Sequence, residues 1–273
     1  MIKEGELVLF CTEEGRTYLV EVSKRPFQTH RDSFALEELI GKPFGSIITG
    51  KRGERAYVLR PTVYDFLMKL KRVTQIIYPK DIGYILLRLD VGPGKTILEC
   101  GTGSGSLLVA FAHAVGETGR VITYEKEERF QQVARENLSR FGLTERVVFK
   151  GEARGEFEEK EEADAAFLDL KTPWDLLPAA WKALKGGAPL GILLPTANQV
   201  SETLKALQSL PFVGTEVLEI MIRFYKTNPE RFRPEDRMVG HTAYLLFTRK
   251  INEEERNEGN RTGATGNTNN RRR

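Results

Sequence analysis

The chain has 273 residues, enough for one or two domains with a sizeable core. Its composition, 40% hydrophobic and 29% charged, is typical of a soluble globular protein, and no run of roughly 18 uncharged apolar residues predicts a membrane span. The first residues carry acids and lack an apolar secretory core, so we expect a cytoplasmic protein. The two cysteines, Cys11 and Cys100, match neither metal-ligand nor redox spacing, and no metal site is predicted.

The net charge of +3 is small, but its distribution along the chain is uneven. Between residues 42 and 80, nine lysines and arginines stand against two acids, which gives seven net positive charges. Acids cluster instead between residues 152 and 164, in a run typical of solvated surface. A basic stretch is either a solvated face or a surface for a polyanion such as RNA, and both interpretations stay open at this point.

Residues 1–62 are predicted to form a small β-rich domain resembling a barrel. The runs Leu7–Phe10 and Tyr18–Val22 flank the polar turn Glu13–Gly15, as in a β-hairpin, and further glycine turns follow near residues 41 and 50. From about Val63 to Leu89 the pattern becomes helical. It is broken at Tyr78-Pro79, because the residue before a proline disfavours the helical conformation. We interpret residues 63–89 as a helical lead-in to a second domain.

Beyond residue 95, strand-like runs alternate with amphipathic helical stretches. The predicted strands are Thr96–Cys100, Arg120–Glu125, Val147–Lys150, Ala165–Leu170 and Leu190–Leu194. The predicted helices are Leu107–Val115, Arg129–Phe141, Trp174–Leu184 and Gln199–Leu210. This alternation predicts an α/β fold with a doubly wound, mostly parallel sheet that has helices on both faces.

The last two apolar runs complete a seven-stranded sheet. Glu216–Tyr225 and Thr242–Arg249 have no helix between them, so we expect an antiparallel hairpin at the edge of the sheet. The second domain therefore spans residues 63–250. Residues 251–273 have few apolar side chains and are predicted to be a disordered tail.

A glycine-rich segment follows the first strand of the sheet and opens the next helix. Its glycines allow a tight turn and let a ligand lie against bare backbone, and the helix N-terminus offers unpaired N–H groups. A nicotinamide-binding loop needs glycine or alanine at position 106, where Ser106 stands. The spacing therefore favours a ligand without a pyrophosphate, such as S-adenosylmethionine, although tight packing would also use glycines here. The candidate cofactor residues of this segment are Glu99, Gly101, Thr102, Gly103, Ser104, Gly105 and Ser106.

Acids also stand at the ends of the following strands. Glu125 ends the second strand, where a carboxylate can accept both ribose hydroxyls of a nucleoside. After the third strand, Glu152 and Ala153 could place an acid or a backbone amide near an adenine ring. Asp169 follows an apolar strand and is expected at the carboxyl edge, where ligands of open α/β sheets bind.

Several strings of the sequence resemble one family, the tRNA (adenine-N1)-methyltransferases that modify adenine 58 of the T loop, of the bacterial and archaeal homotetrameric type. In the first domain they are residues 29–32 (THRD) and 39–43 (LIGKP). In the second they are residues 74–81 (TQIIYPKD), 99–106, 169–174 around Asp169 and Trp174, and 233–242 from Arg233 to Thr242. The sequence departs from the family pattern at Lys171-Thr172, close to the expected target pocket, and in having Cys100 where a smaller residue is commoner.

The resemblance implies a class I methyltransferase-like domain, S-adenosylmethionine as cofactor, tRNA as partner and a homotetramer. It also implies that the N-terminal domain contacts tRNA. By the same resemblance Asp169 meets the target adenine, Tyr78 lines the pocket, and Gln75 and Glu125 belong with the glycine segment to the cofactor site.

The chemistry of such a transfer suits Asp169. The sulfonium methyl is already activated, so the enzyme needs alignment more than a strong nucleophile. Methylation of adenine N1 puts positive charge on the ring, and a carboxylate facing N1 and N6 can orient the base and stabilise that charge. Tyr78 could stack on a base lifted from the RNA. His30 and His241 are assigned to structure, because the sequence identifies no acid–base partner for either.

Two alternatives remain at this point. One is a class I methyltransferase that acts on another substrate, such as a protein carboxylate or a small molecule, against which the basic segment and the family strings argue. The other is a catalytically inactive RNA-binding subunit of the same fold, which would be expected to have a damaged glycine segment.

Overall fold

Two hydrophobic cores divide the chain into two units, Met1–Lys71 and a second one that begins at Arg72. The structure is a computed structural model that describes residues 1–252. The predicted tail therefore lies outside the described residues from position 253 onward. Within the described part of the chain, no helix is both long and apolar enough to cross a membrane.

The first unit is a small antiparallel sheet domain. Its elements are β1 (Leu7–Thr12), β2 (Thr17–Glu21), β3 (Phe27–Gln28), β4 (Ser33–Phe34), β5 (Ser46–Thr49), β6 (Arg55–Leu59) and the helix α1 (Val63–Met68), with a 3-10 turn at Leu36–Leu39. The main sheet has the order β2-β1-β6-β5, and β3 pairs with β4. The predicted first hairpin is present as β1 and β2. Strict alternation in β6 buries Ala56 and Val58, and the Phe10 ring packs edge-on against Phe27 and Phe34 in the core.

Helix α1 belongs to the first unit, which ends nine residues beyond the boundary expected from the sequence. A capping box between Thr62 and Asp65 starts the helix. After it, Lys69 Nζ donates to the Thr17 carbonyl oxygen at 2.6 Å, within the same unit. The predicted helical pattern of residues 69–78 is wrong. This segment has no regular secondary structure, because Pro79 restricts the residue before it and backbone N–H groups at Val73 and Thr74 donate to a side chain of the glycine segment.

The second unit contains the remaining elements. Its helices are α2 (Pro79–Arg88), α3 (Ser106–Ala114), α4 (Glu128–Arg140), α5 (Leu177–Ala183) and α6 (Ala197–Leu207). Its strands are β7 (Thr96–Cys100), β8 (Arg120–Tyr124), β9 (Val147–Lys150), β10 (Ala165–Leu168), β11 (Pro189–Leu194), β12 (Phe212–Leu218), β13 (Tyr225–Lys226), β14 (Arg233–Pro234) and β15 (Tyr244–Lys250). Short 3-10 turns lie at Thr144–Arg146, Pro173–Leu176 and Pro229–Arg231.

Seven of these strands form one sheet in the order β12-β15-β11-β10-β7-β8-β9, with β15 antiparallel to its neighbours. This confirms the predicted doubly wound, mostly parallel, seven-stranded fold. The central strands β7, β10 and β11 are buried almost throughout, because helices cover both faces of the sheet. From β7 the chain builds outward to β9 and then returns to β10 beside β7. A crevice at such a switch point is where open α/β sheets bind ligands.

The predicted terminal hairpin differs from the structure in two ways. Strand β15 lies inside the sheet, between β11 and β12, so of the two hairpin strands only β12 is at an edge of the sheet. Of the run Glu216–Tyr225, only the residues up to Leu218 are in β12. The rest belongs to an excursion, residues 219–241, that carries the two-stranded β13–β14 ribbon. An apolar run in an exposed excursion contains the same residue types as a strand, so the sequence pattern does not distinguish the excursion from a strand.

Candidate active site

The switch point of the sheet brings the end of β7 against the end of β10. Strand pairing places Leu168 opposite Cys100, so Asp169 follows opposite Gly101. The Asp169 N–H donates to the Cys100 carbonyl oxygen at 2.9 Å. At Gly101, φ is +99°, and a Cβ atom would collide with the Asp169 carbonyl oxygen, so glycine is required on both counts. The predicted cofactor segment and the predicted catalytic carboxylate are therefore adjacent.

The amides of the glycine segment are largely used within the fold. The N–H groups of Gly101 and Gly105 donate to the carbonyl oxygens of Tyr124 and Thr102. Gly103 N–H donates to Glu125 Oε2, and Ser104 N–H donates to Thr74 Oγ1, both at 3.0 Å. The segment is thus a braced turn with bare glycine Cα atoms, and four of its amides are already engaged. A phosphate-binding loop would instead keep such amides free for the ligand.

The irregular stretch from Val73 to Tyr78 is hydrogen-bonded to the glycine segment. Ser104 Oγ accepts the N–H groups of Val73 and Thr74 at 3.0 Å each, and Ser106 Oγ donates to the Ile77 carbonyl oxygen at 2.8 Å. This attachment places Gln75 on the surface, and it places Tyr78, half-buried, at the N-cap of α2 beside the segment. Ser104 and Ser106 are buried and act here as structural links.

Glu125 lies under the glycine segment at the end of β8. Its two carboxylate oxygens accept the N–H groups of Gly103 and Glu127, each at 3.0 Å, and the residue is buried. Each carboxylate oxygen has a second lone pair, so the group can still accept hydroxyl donors from a ligand. Its position supports the predicted ribose contact and shows a second task, which is to fix the glycine turn.

Glu99 ends a buried chain of hydroxyl groups. Thr123 Oγ1 donates to Glu99 Oε2 at 2.6 Å, and Thr102 Oγ1 lies 2.6 Å from Thr123 Oγ1. Burial raises the pKa of Glu99 to about 8, the Thr123 hydrogen bond opposes this shift, and the nearby carboxylates of Asp169 and Glu125 add to it. Glu99 is therefore mainly protonated at neutral pH when no cation lies beside it.

Asp169 has a similarly perturbed carboxyl group. Burial raises its pKa to about 7, and the negative charge of Glu125 contributes in the same direction. Perturbed acids of this kind cluster at functional sites. The cleft thus contains three carboxyl groups, those of Glu99, Glu125 and Asp169, and the amides of the glycine segment are largely engaged. Such a site favours a cation and disfavours a pyrophosphate. The residues present therefore fit S-adenosylmethionine, which carries a sulfonium and an ammonium group.

Besides Gln75, which is exposed, two predicted cofactor residues are not drawn into this cluster. Glu152 is exposed and pairs with Arg154 at 3.3 Å, while Ala153 is half-buried against the main core. Both follow β9, which lies two strands away from β7. An adenine contact from this segment stays a prediction.

Sequence reasoning missed three residues that shape the site. Thr74 and Thr123 supply hydroxyl groups on both sides of the glycine segment. His241, for which the sequence indicates no acid partner, has its Nδ1 2.8 Å from Glu219 Oε2. These partners are 22 to 30 residues apart in sequence, so no local pattern indicates them. Thr74 and His241 do lie in the family strings 74–81 and 233–242, and this is the signal that could indicate them.

Comparison with known proteins gives a consistent result. Residues 54–236 match the family described as "tRNA methyltransferase complex GCD14 subunit". A tRNA (adenine(57)-N(1)/adenine(58)-N(1))-methyltransferase TrmI of Methanocaldococcus jannaschii is 32% identical over 268 residues, covering 88% of this chain and 94% of that protein. A tRNA (adenine(58)-N(1))-methyltransferase TrmI of Thermus thermophilus is 36% identical over 248 residues, covering 89% and 96%.

Two solved structures share both fold and sequence with the chain. One is the tRNA (m1A58) methyltransferase TrmI of Aquifex aeolicus, with a TM-score of 0.80 and 42% identity over 92% of this chain and 99% of that one. The other is described as a SAM-dependent O-methyltransferase of Thermotoga maritima. It has a TM-score of 0.86 and 44% identity over 92% of this chain and 95% of that one.

Proposed function

We propose a function from one premise, that this chain belongs to the family of the tRNA methyltransferase complex GCD14 subunit. The protein transfers a methyl group from S-adenosylmethionine to N1 of adenine 58 in the T loop of tRNA. Relatives named for this reaction match the chain over most of its length. The observation that carries the proposal is the Asp169 carboxyl group at the switch point, directly opposite Gly101 of the cofactor segment.

The cofactor site is formed by the turn Gly101–Ser106 with Glu125 and Glu99. When bound, S-adenosylmethionine supplies an activated methyl group on a sulfonium cation. Glu125 accepts ribose hydroxyls through the lone pairs that Gly103 and Glu127 leave open. Glu99 and Asp169 provide negative charge for the cationic groups, and a bound cation lowers the pKa of both acids.

Asp169 orients the target base. As a carboxylate it accepts an N6 hydrogen of adenine and stabilises the positive charge that develops when N1 is methylated. Because the strand before it is completely buried, the carboxylate is held at a fixed point on the edge of the sheet. Tyr78, at the N-cap of α2, offers an aromatic face on which the extruded base stacks.

The first unit supplies a basic surface for the tRNA backbone. Lys51, Arg52 and Arg55 are exposed at the β5–β6 turn. The buried carboxylate of Asp32 fixes this turn, since it accepts N–H groups from Arg52 at 2.9 Å and from Glu54 at 3.0 Å. The turn thus presents its cations in a set arrangement, and phosphate contacts of this kind position RNA without reading its sequence.

The same proposal includes a homotetramer and a cytoplasmic location. The 219–241 excursion leaves large apolar side chains uncovered, with Phe224 65%, Phe232 70% and Val239 67% exposed. The rings of Tyr225 and Phe232 stack at 5.1 Å on this surface. Concentrated apolar exposure marks an interaction surface, and association of copies through it would cover these side chains.

One experiment tests the reaction. The protein is incubated with methyl-labelled S-adenosylmethionine and unmodified tRNA transcript, and the labelled nucleotide is mapped by mass spectrometry. We expect 1-methyladenosine at position 58 and no label in a transcript with guanosine there. Label in the ribose or in a protein would instead favour O-methyl transfer, the activity named for the Thermotoga maritima structure. That result would overturn the proposal.

A further inference from the structure

Two family strings of the second unit meet at the carboxyl edge of the sheet. Lys80 Nζ donates to both carboxylate oxygens of Asp81, at 2.8 and 2.9 Å, and to Thr242 Oγ1 at 2.7 Å. The Lys80 side chain is 11% exposed and the Asp81 side chain 3%. This cluster ties the first turn of α2, directly after Tyr78, to the segment that leads into β15.

His241, next to Thr242, faces a hydrogen-bond acceptor with each ring nitrogen. Nδ1 lies 2.8 Å from Glu219 Oε2, and Nε2 lies 3.1 Å from the Pro195 carbonyl oxygen. A neutral imidazole has one N–H and can satisfy only one of these acceptors, whereas the imidazolium donates to both. The geometry therefore selects the doubly protonated, cationic ring.

The charges around the ring agree with this assignment. The hydrogen bond to the Pro195 carbonyl oxygen, followed by that to Glu219, raises the pKa of His241, while partial burial and the positive charge of Lys80 oppose the shift. The ring packs against Tyr244, the first residue of β15, with centroids 4.8 Å apart. The Lys80 charge is itself compensated by Asp81, which limits its repulsion.

The contacts of His241 span the ends of three strands at the carboxyl edge of the sheet, the edge that also carries Asp169. Glu219 directly follows β12, Pro195 directly follows β11, and His241 precedes β15. Strand β11 is the parallel neighbour of β10, with Ile192 opposite Leu168, so Pro195 lies at the same edge as Asp169 and slightly farther out. The ring thus joins both ends of the 219–241 excursion to Pro195. We call this part of the sheet edge the rim; it consists of Pro195, Glu219 and His241 with the Lys80–Asp81–Thr242 cluster.

We propose that His241, as an imidazolium held by Glu219 and the Pro195 carbonyl, is a positioning residue for the target-base pocket. Together with the Lys80–Asp81–Thr242 cluster it fixes the rim on which Tyr78 and the excursion depend. This inference rests on the proposed function, because the pocket it fixes is that of the adenine. His241 makes no contact with the reacting atoms and acts through the backbone of the rim.

The sign of the pH dependence follows from the charged state. Above its pKa the ring loses one N–H, and either the Glu219 or the Pro195 contact is lost. The rim then loosens and the reaction rate falls, which gives an alkaline limb. Asp169 acts in the opposite direction, since it must be ionised, and accounts for the acidic limb.

Nuclear magnetic resonance of the imidazoles in the full-length protein tests the charged state directly. The chain has three histidines, so single substitutions of His30 and His113 assign the His241 signal. We expect His241 to titrate above the usual value of 6.5 and to move downward in Glu219→Gln. Glu216→Gln, three residues earlier in β12 and paired with Arg88, is the matched control and should leave the titration unchanged. Titration at or below 6.5, or no response to Glu219→Gln, overturns the proposal.

Single-turnover methylation of tRNA across pH tests the positioning role. In Glu219→Gln the alkaline limb should move to lower pH by the same amount as the His241 titration, with the acidic limb unchanged. His241→Phe, which retains a ring beside Tyr244, should lower the rate about 10-fold while S-adenosylmethionine affinity stays within about twofold. An alkaline limb that does not follow the titration overturns the positioning role. Absence of methylation by the wild-type protein at every pH would instead refute the proposed function, whatever the titration shows.

Discussion

The glycine-segment side of the site and the rim side are held by different physical means. On the glycine-segment side, Glu99 and Glu125 are buried acids whose partners are hydroxyls and backbone amides. On the rim side, Lys80 and His241 are cations paired with acids, and His241 is partly exposed. The first arrangement brings together acids whose ionisation is unfavourable until a cationic ligand binds, while the second is already neutralised.

This contrast assigns different tasks to the two sides. Ionisation of a buried acid without a counter-charge is unfavourable in the free protein and becomes favourable when a cation binds, so the glycine-segment side is suited to select the cofactor. Compensated pairs hold geometry without favouring a ligand charge, so the rim is suited to position the base. Substitutions should therefore separate cofactor affinity from catalytic rate according to the side on which they lie.

The largest expected separation is at Glu125. Glu125→Ala removes a charged acceptor and the brace of Gly103, and should weaken S-adenosylmethionine binding by about 1.5–3 kcal/mol, roughly 10- to 150-fold. Calorimetry without RNA measures this. Glu127→Ala, a half-buried acid two residues away whose side chain pairs with Arg129 at 3.6 Å, is the control and should bind nearly as the wild type does. Equal affinity in the Glu125 and Glu127 variants would remove Glu125 from the site.

The second prediction concerns the basic turn of the first unit. The triple variant Lys51→Ala, Arg52→Ala and Arg55→Ala should make the dependence of log affinity for tRNA on log salt less steep, by about 2 to 3 in slope. Each phosphate contact that is lost removes the release of about one counterion on binding. Cofactor affinity should not change. The matched control neutralises Lys3, Lys24 and Arg25, which are exposed on the same unit. If both triple variants lower the slope equally, the β5–β6 turn is not the RNA surface.

A smaller effect is expected on stability. The pKa of Glu99 is about 8 in the folded protein against an ordinary value of 4.5, so the folded state binds the extra proton between these values. Its stability therefore falls as pH rises through this window. Glu99→Gln lacks this titration. Measured by urea unfolding, its free energy of unfolding relative to that of the wild type should therefore be higher at pH 8 than at pH 5, by about 1 kcal/mol or more. A stability difference that is the same at both pH values would contradict the buried, protonated acid.

The two sides of the site also differ in how well the sequence predicts them. Strand β7, the glycine turn and α3 are contiguous, so periodicity and glycine spacing located them, and Thr96–Cys100 agrees to the residue. Asp169 was predicted because an apolar strand ends in one acid. The rim was not predicted, because Lys80 and Thr242 are 162 residues apart and meet only through the sheet order. The sequence predicts a strand as far as Tyr225, although β12 ends at Leu218, because exposed and buried apolar runs contain the same residue types.

Single-turnover methylation by Asp169→Asn tests the central claim most directly. The substitution keeps the size of the side chain but removes the charge and turns a donor toward adenine N6. With saturating tRNA and cofactor, we expect the rate of 1-methyladenosine formation at position 58 to fall about 100-fold or more, while the affinities for cofactor and tRNA change much less than the rate. A variant that methylates adenine 58 at a rate close to wild type would contradict the catalytic role of Asp169.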